Sequence, residues 1–129
     1  MDYLLDTQVI IWFVDGDERI PQSIRDTVKS PENSVLITIV SLWEIAIKRS
    51  INKLELSTGL ADIQNKILSE QVDTLPIKIS HLKAVETLTY QGKHRDPFDR
   101  LIISQAIVED LTLISSDLHF SNYPVRLLW

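Results

Sequence analysis

Five ionisable side chains stand within the seven residues from His94 to Arg100. Two of them are the carboxylates Asp96 and Asp99, on either side of Pro97 and directly before an apolar segment. This arrangement predicts a helix start, with Asp96 as N-cap, proline at the first position where no hydrogen bond is lost, and a carboxylate near free backbone N–H groups. Capping alone therefore accounts for both acids. Whether they also do chemistry depends on where the other acids of the chain fall.

Three more acids stand at or shortly after the end of an apolar segment: Asp6, Glu44 and Asp117. Each has a structural explanation when it is taken alone. Asp6 can cap a helix, and Asp117 can close an Asx turn. Glu44 can complete a capping box with Ser41 or pair with Lys48 one helical turn later. A catalytic role becomes the better interpretation only if the surrounding elements bring the four acids together.

The elements that carry these acids are predicted to alternate between strand and helix. Short apolar segments predict strands over residues 3–5, 34–38, 74–77, 111–115 and 125–128. The third of these contains Pro76, which favours an edge position in a sheet. Helical spacing of apolar residues predicts six helices, which begin after Thr7, after Pro21, at Ser41, at about Thr58 (ending near Gln71), at a Ser80 cap and after Asp96.

Continuous apolar strands that alternate with helices are typical of a parallel sheet covered on both faces. The predicted fold is therefore of the α/β class: one three-layer α/β/α domain over residues 1–129, with a mainly parallel central sheet of four to five strands. Right-handed crossovers bring the carboxyl ends of such strands, and the four acids with them, toward one edge. The helix beginning at Ser41 is apolar around most of its circumference, which predicts burial on more than one side.

Composition narrows the classes of function. The chain has 129 residues, the length of one domain, and contains no cysteine, which excludes disulfides, thiolate zinc sites and a cysteine nucleophile. A formal net charge of -5 argues against a protein held on nucleic acid by bulk electrostatics, but a nuclease that gathers carboxylates around cations is compatible with it. Acids replace the basic region of a secretory signal near the N-terminus, and the apolar run between Asp6 and Asp15 is too short to span a bilayer. We expect a cytoplasmic protein with no membrane partner.

Four carboxylates at one edge of a sheet disfavour one another's ionisation, because like charges repel. A bound divalent cation resolves that repulsion. Oxygen ligands without cysteine or a histidine pair favour Mg²⁺ or Mn²⁺ over zinc. One or two such ions could activate water and stabilise the charge of an in-line attack on a phosphodiester.

Four segments stand in an order typical of one family of nucleases: Leu4–Thr7, Ser41–Lys48, His94–Leu101 with Gln105-Ala106, and Ile114–Asp117. On these segments the chain resembles the PIN-domain ribonucleases and, among them, the VapC-like toxins of bacterial and archaeal toxin–antitoxin pairs. The resemblance extends over essentially the whole chain. It implies a metal site for Mg²⁺ or Mn²⁺ whose acidic residues are Asp6, Glu44, Asp99 and Asp117.

The resemblance also implies supporting roles for neighbouring residues. Thr7 matches the hydroxyl residue beside the first acid, and Ser115 stands where the family usually has threonine. Asp96 belongs to the motif, and we expect it to cap its helix and support the site without binding the metal directly. Gln8 stands where this subgroup often has histidine, so no role is assigned to its side chain.

The function that the resemblance implies is Mg²⁺- or Mn²⁺-dependent hydrolysis of RNA phosphodiester bonds by a toxin that inhibits translation. It also implies a homodimer and a cognate antitoxin whose C-terminal segment occupies the active-site groove. Two alternatives stay open: a PIN-type nuclease of RNA maturation or DNA repair, and an inactive PIN-like module that only binds. A phosphoacceptor receiver domain is disfavoured, because Thr7-Gln8 follows Asp6 and no lysine follows Ser115.

The remaining polar and aromatic residues are expected to contact RNA, to be solvated or to have structural roles. Lys48, Arg95 and Arg100 are candidates for contacts with the RNA backbone. His94 could contact a phosphate, although a solvated loop histidine is the preferred interpretation. Structural roles are expected for two further histidines and for three tryptophans, the latter in the core or at an interface: His81, His119, Trp12, Trp43 and Trp129.

Overall fold

The described residues, 1–52 and 59–129, of the computed structural model form five strands and six α-helices, with a pair of helices between each two successive strands from β1 to β4. The strands are β1 (Asp2–Leu5), β2 (Ser34–Thr38), β3 (Asp73–Leu75), β4 (Thr112–Ile114) and β5 (Leu127–Leu128). The helices are α1 (Thr7–Asp15), α2 (Gln22–Lys29), α3 (Ile39–Ser50), α4 (Leu60–Ser69), α5 (Ile79–Thr87) and α6 (Pro97–Val108). A short 3₁₀ helix, Leu118–Asn122, follows β4. Over these described ranges, no helix is both long enough and apolar enough to cross a membrane.

The strands form one parallel sheet in the order β3-β2-β1-β4-β5. β1 lies at the centre, where Leu4 pairs with Leu36 of β2 on one side and with Leu113 of β4 on the other. The chain moves outward from β1 to β2 and β3, then returns to β4 and β5 on the opposite side. The strand order therefore reverses between β1 and β4, and open parallel sheets bind their ligands beyond the carboxyl ends of the strands at such a reversal.

Two apolar cores lie on opposite faces of the sheet, because successive residues of a strand point to opposite sides. Tyr3 and Leu5 belong to a core shared with α1, α2 and α4. Leu4 points the other way, into a core formed with α6 and the segment after β4. α3 contributes Ile45 to the first core and Val40 to the second. The predicted three-layer α/β/α fold is thus confirmed, with five strands and with β3 at an edge.

α3 begins two residues earlier than predicted, at Ile39 and not at Ser41. Thr38 leaves β2 in an extended conformation, and its hydroxyl oxygen accepts a hydrogen bond from the Val40 N–H at 3.1 Å. The N-cap is therefore Thr38. The capping box predicted between Ser41 and Glu44 is wrong, because both residues lie inside the helix.

α5 begins at Ile79, so the predicted Ser80 cap is wrong. The N-cap is Lys78, whose backbone N–H donates to Nδ1 of His81 at 3.0 Å. The His81 side chain is fully buried, and this contact gives it the structural role that was expected.

Other element ends differ from the prediction by one or two residues. β3 stops at Leu75, since Pro76 has no N–H to donate to a neighbouring strand. β4 and β5 are only three and two residues long. α4 lies within the predicted helix and ends at Ser69, while the predicted start at Thr58 falls outside the described residues.

Of the three tryptophans, Trp12 packs against the first core, whereas Trp43 and Trp129 are exposed and are not core residues. α3 packs on two sides as predicted, but its Trp43 is 54% exposed and sets its ring against Phe98 at a centroid distance of 4.9 Å. Trp12 is half-buried, and its ring lies 5.9 Å from that of the exposed Trp129. For Trp43 and Trp129, only the interface role remains as a prediction.

Candidate active site

The reversal of the strand order is the place where the four predicted acids meet. Asp6 follows β1, Glu44 lies in the middle of α3, Asp99 lies in the first turn of α6, and Asp117 follows β4. They line one pocket of about 220 Å³, which we call the acidic pocket. Five further residues line it: Thr7, Gln8, Ile11, Lys48 and Asp96.

Asp6 caps α1 and lines the acidic pocket with the same side chain. Its Oδ1 accepts from the Thr7 N–H at 2.7 Å, and its Oδ2 accepts from the Ser115 hydroxyl at 2.9 Å. The Asp6 N–H donates to the Ile114 carbonyl at 3.0 Å, which extends the pairing of β1 with β4 by one residue. Both carboxylate oxygens are thus fixed in direction by the backbone and by a buried hydroxyl.

Asp117 lies at the start of the 3₁₀ helix and is tied to the same hydroxyl. Its N–H donates to Oγ of Ser115 at 3.0 Å, so one serine joins Asp6 to Asp117. Oδ1 of Asp117 accepts from the His119 N–H at 2.9 Å, which is the predicted Asx-type turn, and lies 3.1 Å from the His119 ring nitrogen Nδ1.

Asp99 is oriented by two neighbours in the segment before it. Its N–H donates to Oδ1 of Asp96 at 3.0 Å, so Asp96 is the N-cap of α6, as predicted. Its Oδ2 lies 3.0 Å from Nε2 of His94, and the other ring nitrogen of His94 lies 2.7 Å from the Tyr123 hydroxyl. The preferred interpretation of His94 as a solvated loop residue is therefore wrong, because its ring is mostly buried between these two partners.

Glu44 reaches the acidic pocket from the side of α3. Its Oε2 pairs with Nζ of Lys48 at 2.9 Å, one helical turn later, as predicted. Its Oε1 is buried and has no hydrogen-bond partner among the described residues. A buried carboxylate oxygen without a partner costs free energy, so this atom is a natural ligand for a cation.

The electrostatics of the pocket fit a divalent cation. Burial raises the pKa of Asp6 to about 7, and the charges of Asp99 and Glu44 add to that rise. Burial also raises the pKa of Asp99 to about 6, although its contact with His94 acts in the opposite direction. Oxygen ligands and uncompensated negative charge match the preference of Mg²⁺ and Mn²⁺.

The carboxylates line an open pocket and are not drawn together. Within the two described ranges of the chain, no group of three histidine, aspartate or glutamate side chains is arranged to hold a metal ion. The pocket of about 220 Å³ leaves room for an ion between the carboxylates.

A pair of hydroxyls joins the two helices that flank the pocket. The Thr7 hydroxyl donates to Oγ of Ser41 at 2.8 Å, and both side chains are buried. Sequence reasoning missed this use of Ser41, which it assigned to a helix cap. It also missed Tyr123, for which no motif or spacing provided a signal.

The predicted contact of Arg100 with RNA is wrong, because only 3% of this residue is exposed. Its Nη2 donates to the Leu88 carbonyl at 2.6 Å, and its guanidinium lies 3.8 Å from the centroid of the Tyr90 ring. Arg95 also lies over Tyr90, at 4.3 Å, but it is exposed. Lys48 is partly exposed beside the acidic pocket, so it and Arg95 stay predicted contacts.

His119 was expected to have a structural role, but it does not lie in the core. Its side chain is 67% exposed, and its ring stacks on that of His94 at a centroid distance of 5.2 Å and an angle of 14°. The two stacked histidines thus each lie beside one acid of the pocket: His94 beside Asp99, and His119 beside Asp117.

Comparison with protein families matches residues 3–125 to the family described as PIN domain. Comparison with curated protein sequences finds no significant match.

Several solved structures share the fold at low sequence identity. VapBC-1 from nontypeable Haemophilus influenzae is 22% identical with a TM-score of 0.71, over 99% of this chain and 97% of that chain. VapBC2 from Rickettsia felis, bound to a DNA fragment from its promoter, is 19% identical with a TM-score of 0.69, over 99% and 98%. VapBC-5 from Mycobacterium tuberculosis, a member of the VapBC family of toxin–antitoxin systems, is 21% identical with a TM-score of 0.58, over 98% and 97%.

Proposed function

The chain belongs to the PIN domain family, and from that membership we propose that it is a divalent-metal-dependent endoribonuclease and the toxin of a toxin–antitoxin pair. The observation that carries the proposal is the acidic pocket, in which four segments each contribute a carboxylate. Capping explains Asp6 and Asp96, but it does not explain why Glu44 keeps a buried oxygen without a partner in the described part of the chain.

The residues that would hold Mg²⁺ or Mn²⁺ are the four acids of the pocket: Asp6, Glu44, Asp99 and Asp117. When bound, such an ion neutralises phosphate charge and lowers the pKa of water. In the hydrolysis, a water oxygen forms a bond to phosphorus, one P–O ester bond breaks, and the departing oxygen takes up the proton that the water loses.

The surrounding residues keep the carboxylates in place before the substrate arrives. Ser115 and the Thr7 N–H fix the two oxygens of Asp6, and His94, which contacts the Tyr123 hydroxyl, fixes one oxygen of Asp99. Groups that are already oriented need no rearrangement when charge develops on the phosphate, which makes their stabilisation larger.

The structural neighbours support the toxin part of the proposal, because they include VapBC proteins and a member of a toxin–antitoxin family. We expect a cognate antitoxin that covers the acidic pocket, a homodimer, and inhibition of translation through RNA cleavage in the cytoplasm. An antitoxin segment with a basic side chain would complement the negative charge of the pocket.

The test is cleavage of a mixed RNA pool that includes tRNA and rRNA, by purified protein with Mg²⁺ or Mn²⁺ and with EDTA. Asp99→Asn, purified in parallel, should lose the activity, since it removes a carboxylate from the pocket. Asp62→Asn is the matched control, because Asp62 is exposed on α4 and does not line the pocket.

Cleavage that requires the metal, survives in Asp62→Asn and disappears in Asp99→Asn supports the nuclease. Equal cleavage by both variants would assign the activity to a contaminant. No cleavage of any RNA by folded, antitoxin-free protein with metal would leave a PIN module that only binds.

A further inference from the structure

A second pocket, of about 440 Å³, adjoins the acidic pocket and has the opposite character. The loop before α6 and the 3₁₀ helix after β4 form it. We call it the basic pocket and define it by five of its lining residues: Lys93, His94, Arg95, His119 and Asn122.

The two pockets share a wall. Asp96 lines both of them. Two close pairs also cross the wall: Nε2 of His94 lies 3.0 Å from Oδ2 of Asp99, and Nδ1 of His119 lies 3.1 Å from Oδ1 of Asp117. In each pair the histidine lines the basic pocket and the carboxylate lines the acidic pocket. A ligand that occupies the acidic pocket and extends past this wall therefore enters the basic pocket.

The two permanent cations of the basic pocket are available to an anion. Lys93 is exposed and makes no ion pair with another residue in 1–52 or 59–129. Arg95 is exposed but ordered, because its Nη1 donates to the Gly92 carbonyl at 2.7 Å and its guanidinium lies 4.3 Å from the Tyr90 ring centroid. A guanidinium that is already oriented loses less freedom when it binds phosphate.

The basic pocket also offers an aromatic surface. The His119 ring stacks nearly parallel on His94, and its side chain remains 67% exposed. Unpaired bases stack on exposed aromatic rings, including histidine, and such stacking is tolerant of sequence. The amide of Asn122 is a donor and acceptor for base edges in the same pocket.

We infer that the basic pocket binds the nucleotide next to the scissile phosphodiester of a single-stranded RNA, with Lys93 and Arg95 on the phosphate and His119 against the base. This inference rests on the proposed function, since it places the scissile phosphodiester in the acidic pocket. The RNA must be single-stranded at this position, because a base in a duplex is not free to stack on a protein ring.

The phosphate contact is tested by the salt dependence of RNA binding. Binding of a short, fluorescein-labelled, mixed-sequence single-stranded RNA is measured by anisotropy with Mg²⁺ at several KCl concentrations. All proteins carry Asp6→Asn, which should suppress cleavage and changes no residue that lines the basic pocket. Lys93→Ala should weaken binding several-fold and reduce the slope of log Kd against log salt by about 0.7, the value for one phosphate on a single strand.

Lys29→Ala is the matched control for charge. Lys29 is exposed at the end of α2 and lines a different pocket, so its removal changes the net charge equally but should leave the salt slope unchanged. Equal slopes for Lys93→Ala and the parent would overturn the phosphate contact.

The stacking contact is tested at His119. His119→Ala should weaken RNA binding about fivefold or more, the lower end for loss of one stacked base. His119→Phe should restore most of the affinity, since phenylalanine keeps the ring but cannot pair with Asp117. Failure of Phe to restore binding would assign the effect to the contact with Asp117 and overturn stacking.

The outcomes separate this inference from the proposed function. If the wild type cleaves RNA and both Lys93→Ala and His119→Ala bind RNA as the parent does, the basic pocket is not a nucleotide site, and the proposed nuclease stands. Wild-type protein that neither cleaves nor binds RNA would overturn both. Tighter binding of a polyglutamate peptide than of RNA, lost in Lys93→Ala, would assign the pocket to an acidic protein partner instead.

Discussion

The acidic pocket has two sides that accommodate negative charge in different ways. Asp6 and Asp99 are largely buried, and burial, before any neighbouring charge, raises their pKa values to about 7 and about 6. Glu44 pairs with the ammonium of Lys48 at 2.9 Å, and the Asp117 side chain is 40% exposed to solvent. One side therefore leaves its charge to be neutralised by a ligand, whereas a lysine or solvent already screens the charge of the other. We expect the effects of a bound cation to concentrate on Asp6 and Asp99.

The largest expected difference between the two sides is in catalysis. Asp6→Asn should lower kcat/KM for RNA cleavage by about 100- to 1,000-fold, the range for loss of one oriented electrostatic group. Asp117→Asn should cost about tenfold, because the Asp117 side chain is 40% exposed and solvent screens its charge. Initial rates with Mg²⁺ measure both, and thermal unfolding confirms that each variant is folded. Equal losses of kcat/KM would mean that the carboxylates on the two sides contribute equally to catalysis.

The second difference concerns stability without metal. Folded Asp6 holds its proton up to about pH 7, whereas an unfolded aspartate loses it near 3.8, so between these values the folded state binds more protons. The contribution of Asp6 to the free energy of unfolding should therefore fall as pH rises from 4 to 7, by on the order of 3 kcal/mol.

Urea unfolding of wild type and Asp6→Asn in EDTA, from pH 4 to 8, isolates this contribution. We expect Asp6→Asn to be the more stable protein at pH 8 and to show the flatter profile. Excess Mn²⁺ should remove most of the pH dependence of wild type. A wild type that becomes more stable than Asp6→Asn as pH rises in EDTA would contradict the assignment of burial as the dominant effect.

The sequence predicts the fold of this protein more fully than the contacts within its candidate site. The pattern of apolar strands and helices was enough to predict the three layers, and Pro76 was enough to predict that β3 is an edge strand. Each of these signals depends on a short segment of sequence. The positions of Asp6 and Asp99 at helix starts were also predicted, since Asp6 follows β1 and Asp99 follows the cap Asp96 and Pro97. A capping role does not exclude a place in the pocket. Asp6 caps α1 through Oδ1, accepts from Ser115 through Oδ2, and still lines the acidic pocket.

Apart from the helix starts at Ser41 and Ser80, the main errors concern contacts between residues that are distant in sequence. The contact of His94 with Tyr123 joins residues 29 positions apart, and no local pattern shows it. Arg100 looked like a surface cation, but its burial depends on carbonyls at the end of α5 and in the following loop, such as that of Leu88. Trp43 looked like a core residue, but the core-facing positions of α3 are taken by smaller side chains such as Ile45.

A smaller effect should follow from loosening Asp99 without removing it. His94→Ala removes the group that contacts Oδ2 of Asp99, and losing such an orienting partner typically lowers metal affinity or activity at least tenfold. His94→Gln can still donate to Asp99 and should recover part of that loss. Titration with Mn²⁺ in the absence of RNA measures the effect on the metal site alone, since His94 also lines the basic pocket. Unchanged Mn²⁺ affinity in His94→Ala would limit the residue to packing.

The smallest expected effect lies on the side that is already neutralised. Lys48→Gln frees Oε2 of Glu44, and because a partly exposed ion pair contributes at most about 1 kcal/mol, Mn²⁺ affinity should rise by no more than about fivefold. Lys78→Gln is the matched control, since Lys78 pairs with Glu109 at 2.7 Å away from the acidic pocket and should leave Mn²⁺ affinity unchanged. Tighter binding in Lys48→Gln alone would show that the lysine competes with the cation for Glu44. A tenfold loss would show the reverse, that Lys48 positions Glu44 for the cation, and the contrast between the two sides of the pocket would disappear.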